Sequence, residues 1–137
     1  MKRTANAHWA GTGKDGKGHL STQSTVLSET QYSFSSRFES GVGTNPEELI
    51  AAAHSGCFTM KLSFNISAAG FVPESIDTKA TVTLDDGAIP EILLETIAVV
   101  PGLSKEKFEE LAEDAKLNCP ISKLLNTSIV LSAELKA

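Results

Sequence analysis

The sequence predicts an α+β protein in which antiparallel sheets pack around a long central helix. Three observations predict it. Alternating apolar and polar residues mark extended segments at QYSFSSRFE and SIDTKATVTLDD, TNPEELIAAAHSGC starts like a helix, and the elements follow as strands, long helix, hairpin, helix and strand. At 137 residues a single domain covering 1–137 is expected, and a chain of that size buries roughly two thirds of its unfolded surface.

The elements can be justified in order. Ala5 to Ala10 reads as a short strand, GTGKDGKG as a turn-rich connection, and HLSTQSTVL as a return to extended chain. In QYSFSSRFE, alternation puts Tyr32, Phe34 and Ser36 on one face of a strand and Ser33, Ser35 and Arg37 on the other. Thr44 or Asn45 then caps the long helix, Pro46 suits its first turn, and Glu48 occupies the capping-box position. Its expected apolar face runs through residues 49, 50, 53, 57, 60, 64 and 68, with Gly70 as the stop.

Beyond the helix, Ile76, Thr78, Ala80, Val82 and Leu84 share one side of a strand. The turn DDGAIP leads to EILLETIAVV, a hairpin partner, although EILLE alone also suits a helix. Ser104 opens an amphipathic helix with Phe108, Leu111, Ala112 and Ala115 on its apolar side. A short helical signal follows Cys119-Pro120, and TSIVLSAEL closes the chain as a strand.

Composition excludes several function classes. A hydrophobic fraction of 41% fits a folded globular chain, and a net charge of -5 with dispersed basic residues leaves no footprint for nucleic acid or an anionic membrane. Leu49 to Met60 is too short to span a bilayer, and MKRTANAHWAG lacks the apolar run of a signal peptide. A cytoplasmic, reducing setting is therefore expected, in which two cysteines point to chemistry or burial more than to a structural bridge.

Each reactive group also has a plain structural reading. Cys57 alone is compatible with a buried small hydrophobe; His54, one turn earlier on the same face, makes a Cys-His dyad geometrically feasible. Cys119 precedes Pro120 at a helix start, where free amides favour a thiolate, so the residues themselves leave open which thiol attacks. Glu47 and Glu48 suit a first helical turn in any protein, and Arg37 suits a simple ion pair. Glu47 and Cys57 lie ten residues apart, about 15 Å along a straight helix, so a shared site requires a bent helix or a second chain. No C-x2-C spacing supports zinc, and neither GxGxxG nor a phosphate-binding loop is present, so no metal or cofactor is expected.

The pieces FSSRFE, TNPEELIAAAHSGCFTM, GFVPESIDTKATVTL and NCPISKLL together resemble the osmotically inducible protein C (OsmC) family of peroxiredoxins, related to the organic hydroperoxide resistance (Ohr) proteins. The resemblance extends from AHW to the final strand and is specific in combination. It implies an OsmC-like fold, an intertwined homodimer with sites drawing on both chains, and a thiol peroxidase that reduces organic hydroperoxides to alcohols. Cys57 matches the peroxidatic position, Cys119 the resolving position, and Arg37 and Glu47 the charged residues that assist thiolate and peroxide.

On that resemblance, Cys57 becomes a sulfenic acid, Cys119 condenses with it to a disulfide, and an external dithiol, with a lipoyl-bearing protein as the candidate, restores both thiols. Phe34, Phe38, Phe58 and Met60 are candidates for an apolar substrate pocket. The competing readings are a Cys57-His54 acyl hydrolase and a non-enzymatic carrier of small apolar ligands.

Overall fold

Three short strands open the chain. In the computed structural model, which describes residues 1–136, these are β1 (Ala5–Ala10), β2 (Lys17–Thr22) and β3 (Thr30–Tyr32), joined as an antiparallel sheet in the order β1-β2-β3. Gly18, in the middle strand, pairs with Trp9 on one side and Tyr32 on the other. A Cβ there would run into both rings, which lie 5.3 Å apart between centroids. This sheet belongs to the first of two compact units, Met1–Leu49; the second begins at Ile50.

The expected strand through QYSFSSRFE is corrected. β3 stops at Tyr32, and α1 (Phe34–Phe38) follows it. The serines cause the break: the Ser36 N–H donates to Ser33 Oγ at 3.2 Å and the Ser33 N–H donates to Ser36 Oγ at 2.8 Å. That reciprocal cap gives the backbone local partners in place of a ladder. Arg37 therefore sits in the last turn of a short helix.

Asn45 caps α2 (Pro46–Ala68), its Oδ1 accepting from the Glu48 N–H at 2.7 Å. The return bond of the expected capping box is replaced, because the Glu48 carboxylate accepts from Thr44 Oγ1 at 2.8 Å. At the other end the Phe71 N–H donates to Ile66 O and the Gly70 N–H to Ser67 O, with Gly70 at φ 92, a Schellman stop.

The second unit carries the core. Residues His54, Phe58, Leu62 and Ile66, four apart, form the fully buried stripe of α2. The expected face is corrected in part, since Ala53, Met60, Phe64 and Ala68 are exposed. A single sheet and one neighbouring helix cover only one stripe of an all-round apolar helix, and the bulkier 58/62/66 series takes it. Against it pack Ile92, Leu94 and Ala98 of β5 (Ala88–Val99) and Phe108, Ala112 and Ala115 of α3 (Lys105–Asn118).

β4 (Ser75–Asp85) and β5 form the expected antiparallel hairpin, turning on Asp86 and Gly87 at φ 48 and 76, the left-handed pair that a tight hairpin demands. β6 (Ser128–Lys136) pairs with β5 in parallel, which corrects the expectation of wholly antiparallel sheets. The chain crosses from β5 to β6 through α3 and α4 (Pro120–Leu124), and such a helical crossover returns a strand in the same direction. No helix among the described residues is long and apolar enough to cross a membrane.

Candidate active site

Cys119 lies at the junction of two helices. Its N–H donates to Ala115 O at 3.0 Å and ends α3; its sulfur accepts from the Ser122 N–H at 3.4 Å and starts α4, with Pro120 as the first helical residue. The N-cap role read from Asn-Cys-Pro is thus observed. The residue is fully buried.

Cys57 is half-buried in the middle of α2 and packs against the same core, as a neighbour of Cys119. Burial pushes the Cys57 thiol up from its ordinary value; a backbone hydrogen bond from Ile121 pulls it down, and the neighbouring Cys119 pushes it up further. Both cysteines are free. Cys57 is partly exposed, whereas Cys119 is fully buried.

His54 does not form the dyad with Cys57 that helical spacing allowed. Its Nε2 lies 2.7 Å from Ser122 Oγ, which lies 3.1 Å from Cys119 Sγ. Burial lowers the imidazole from its ordinary value, and Nδ1 has no partner among the described residues. Sequence reading missed Ser122. The available signal was its place three residues after the cap, where a side chain and amide can both return to the capping atom.

In the first unit, Arg37 Nε donates to Glu47 Oε1 at 2.8 Å. The Glu47 side chain is 11% exposed and its second oxygen has no partner among the described residues, whereas the guanidinium is 42% exposed and lies 5.2 Å from the Phe38 ring centroid. The structure therefore pairs Arg37 with Glu47 and Cys57 with Cys119, each pair within its own unit. Of the candidate pocket residues, Phe58 is core, Phe34 packs on exposed Phe38 at 4.9 Å between centroids, and Met60 borders a groove of about 630 Å³ along α2 and β4 that neither sulfur lines.

The family model described as OsmC-like protein matches residues 39–134. The chain is 46% identical to peroxiredoxin OsmC of Escherichia coli, an alignment covering 100% of this chain and 99% of that protein. Among solved structures, the organic hydroperoxide resistance protein OhrB of Bacillus subtilis superimposes with a TM-score of 0.64 at 26% identity, covering 97% of this chain and 98% of that one. An OsmC-like protein of Mycoplasma pneumoniae gives 0.78 at 13% identity over 100% and 99% of the two chains, a likeness of fold. On the family match and the full-length identity, the chain belongs to the OsmC-like protein family.

Proposed function

We infer that the protein is a thiol-dependent peroxidase that reduces organic hydroperoxides to alcohols. One observation carries the reading: a partly exposed cysteine, Cys57, adjoins a fully buried one, Cys119, and both are free thiols. Peroxide meets Cys57 first, and the second sulfur is already beside it to close a disulfide. The relatives named as a peroxiredoxin and as a hydroperoxide resistance protein support the same chemistry. The acyl-hydrolase reading loses its base, because His54 hydrogen-bonds to Ser122.

In this mechanism the Cys57 thiolate attacks the terminal peroxide oxygen, the O–O bond breaks, and the alkoxide takes a proton to leave as alcohol. Cys119 then displaces hydroxide from the Cys57 sulfenic acid, giving a disulfide and water. An external dithiol, a lipoyl-bearing protein being the chemistry favoured, reduces that bridge, which suits a reducing cytoplasm.

Cys57 needs help to ionise, since its own surroundings push the thiol up. Arg37 supplies the cation and Glu47 holds it, through the 2.8 Å bond. Ten residues of α2 separate Glu47 from Cys57, about 15 Å. The pair acting on one Cys57 is accordingly that of a second copy, in a homodimer that covers Met60 and Phe64 and makes both units one working domain.

Reduced protein mixed with cumene hydroperoxide tests the assignment. A Cys57–Cys119 disulfide is expected by peptide mass spectrometry, and Cys57→Ser should lower peroxide consumption by at least about a thousandfold. Unchanged consumption by that variant overturns the reading.

A further inference from the structure

The described mechanism leaves Ser122 and His54 unused, yet they form a buried chain that ends on a reacting sulfur. Ser122 is nearly buried and His54 completely so. Cys119 Sγ has two hydrogen-bonding groups of one residue beside it, the Ser122 N–H at 3.4 Å and the Ser122 hydroxyl at 3.1 Å. Behind the hydroxyl stands His54 Nε2 at 2.7 Å.

The direction of these bonds follows from what is left unpaired. Neutral imidazole carries one proton. With it on Nδ1, a buried N–H would have no acceptor among the described residues; with it on Nε2, only a lone pair is unmatched, the smaller cost. Burial keeps the ring neutral, since it disfavours the charged form. The Nε2–H therefore donates to Ser122 Oγ, and the hydroxyl proton turns to its other neighbour, the Cys119 sulfur.

We propose that Ser122 is a catalytic residue of the resolving step, its hydroxyl and amide together holding the Cys119 sulfur while negative charge gathers there, and that His54 is the positioning residue that aims the hydroxyl. This rests on the peroxidase reading above. In the step, the Cys119 sulfur bonds to the Cys57 sulfur and the S–O bond of the sulfenic acid breaks. The departing hydroxide and the proton given up by Cys119 make one water, Cys119 being oxidised and Cys57 reduced to the disulfide level.

The same donors serve the return. An external dithiol attacks Cys57, the reachable sulfur, so Cys119 is expelled as the leaving group into the cradle it started from. The two dithiol hydrogens end on the two cysteines and the dithiol becomes a disulfide. Donors fixed in advance at a sulfur that is charged only in passing stabilise the step without reorganising.

A single-turnover experiment decides it. Fully reduced protein is mixed with one equivalent of tert-butyl hydroperoxide without a dithiol, quenched at intervals, and weighed intact to separate thiol, sulfenic acid and disulfide. Ser122→Ala should close the disulfide about 10- to 100-fold more slowly, with the Cys57 sulfenic acid accumulating and open to dimedone, the loss expected for one hydrogen bond to a charged group. Ser122→Thr, which keeps the hydroxyl, should stay within about threefold of the unchanged protein. His54→Gln, whose amide can donate from the Nε2 position, should close faster than His54→Leu.

Closure at the unchanged rate in Ser122→Ala overturns the proposal, as does His54→Gln closing as slowly as a folded His54→Leu. Should His54→Leu fail to fold, the Ser122 pair decides alone. A different failure, in which the unchanged protein never forms a Cys57 sulfenic acid, removes the peroxidase reading and this inference with it.

Discussion

In the second unit apolar side chains from Phe58 to Cys119 are sealed from solvent, whereas in the first no apolar side chain among the described residues is buried. What the first unit hides is polar: Ser36, Thr44 and Glu47, beside Gly18. Its Val26, Phe38 and Val42 stand in solvent. A three-stranded sheet whose apolar residues are at most partly covered is a poor candidate for independent stability. The contrast separates two tasks: the core-bearing unit keeps one sulfur dry beside another, and the polar unit presents a guanidinium already held by a carboxylate. In the proposed homodimer, the latter is the surface that a second copy would complete.

The largest test of that division mixes variants. Arg37→Ala and Cys57→Ser should each be nearly inactive alone. Unfolded together in equal amounts and refolded, they should regain about a quarter of the unchanged activity, because half the dimers are mixed and one of their two sites then has both wild-type groups. No recovery would place Arg37 and Cys57 of one chain in one site. Next in size is a pair of truncations read by denaturant unfolding. Phe108→Ala, in the sealed core, should cost about 3–5 kcal/mol. Phe38→Ala, 53% exposed, should stay within about 0.5 kcal/mol for dilute monomer; equal losses would erase the distinction between the units.

Legibility in the sequence followed the same divide. In the second unit, strands with a strict alternation, the Asp-Gly turn, the Ser104 cap and the Cys119-Pro120 start were all readable, because one face meets a core and the pattern must obey it. The parallel return of β6 was not, since strand direction depends on the crossover and leaves no mark on the strand itself. In the first unit QYSFSSRFE alternates as a strand does, but with no core to enforce the alternation the serine cap prevailed. His54 and Cys57 were readable as neighbours on α2; that His54 turns to Ser122 depends on residues 68 apart in sequence. The proximity of the sulfurs was legible only through family resemblance.

The smallest expected effect comes from acid. His54 is a fully buried imidazole of the core-bearing unit, and burial holds its folded value below the ordinary 6.5. As pH falls past 6.5, the unfolded chain therefore takes up a proton that the folded chain still refuses. The unfolded state binds more protons in that window, so stability rises with pH through it: the contribution is fully present above 6.5 and is lost as pH drops through the folded value. One such group gives a slope of at most about 1.4 kcal/mol per pH unit. Denaturant unfolding of the reduced protein between pH 7.5 and 5, both set by the experimenter at about those values, should show a steeper acid loss than His54→Gln, the difference isolating the imidazole from the carboxylates common to both. Parallel slopes would mean that the ring is reached by water on acidification, and the second unit would then be less sealed around its sulfurs than the contrast with the first requires.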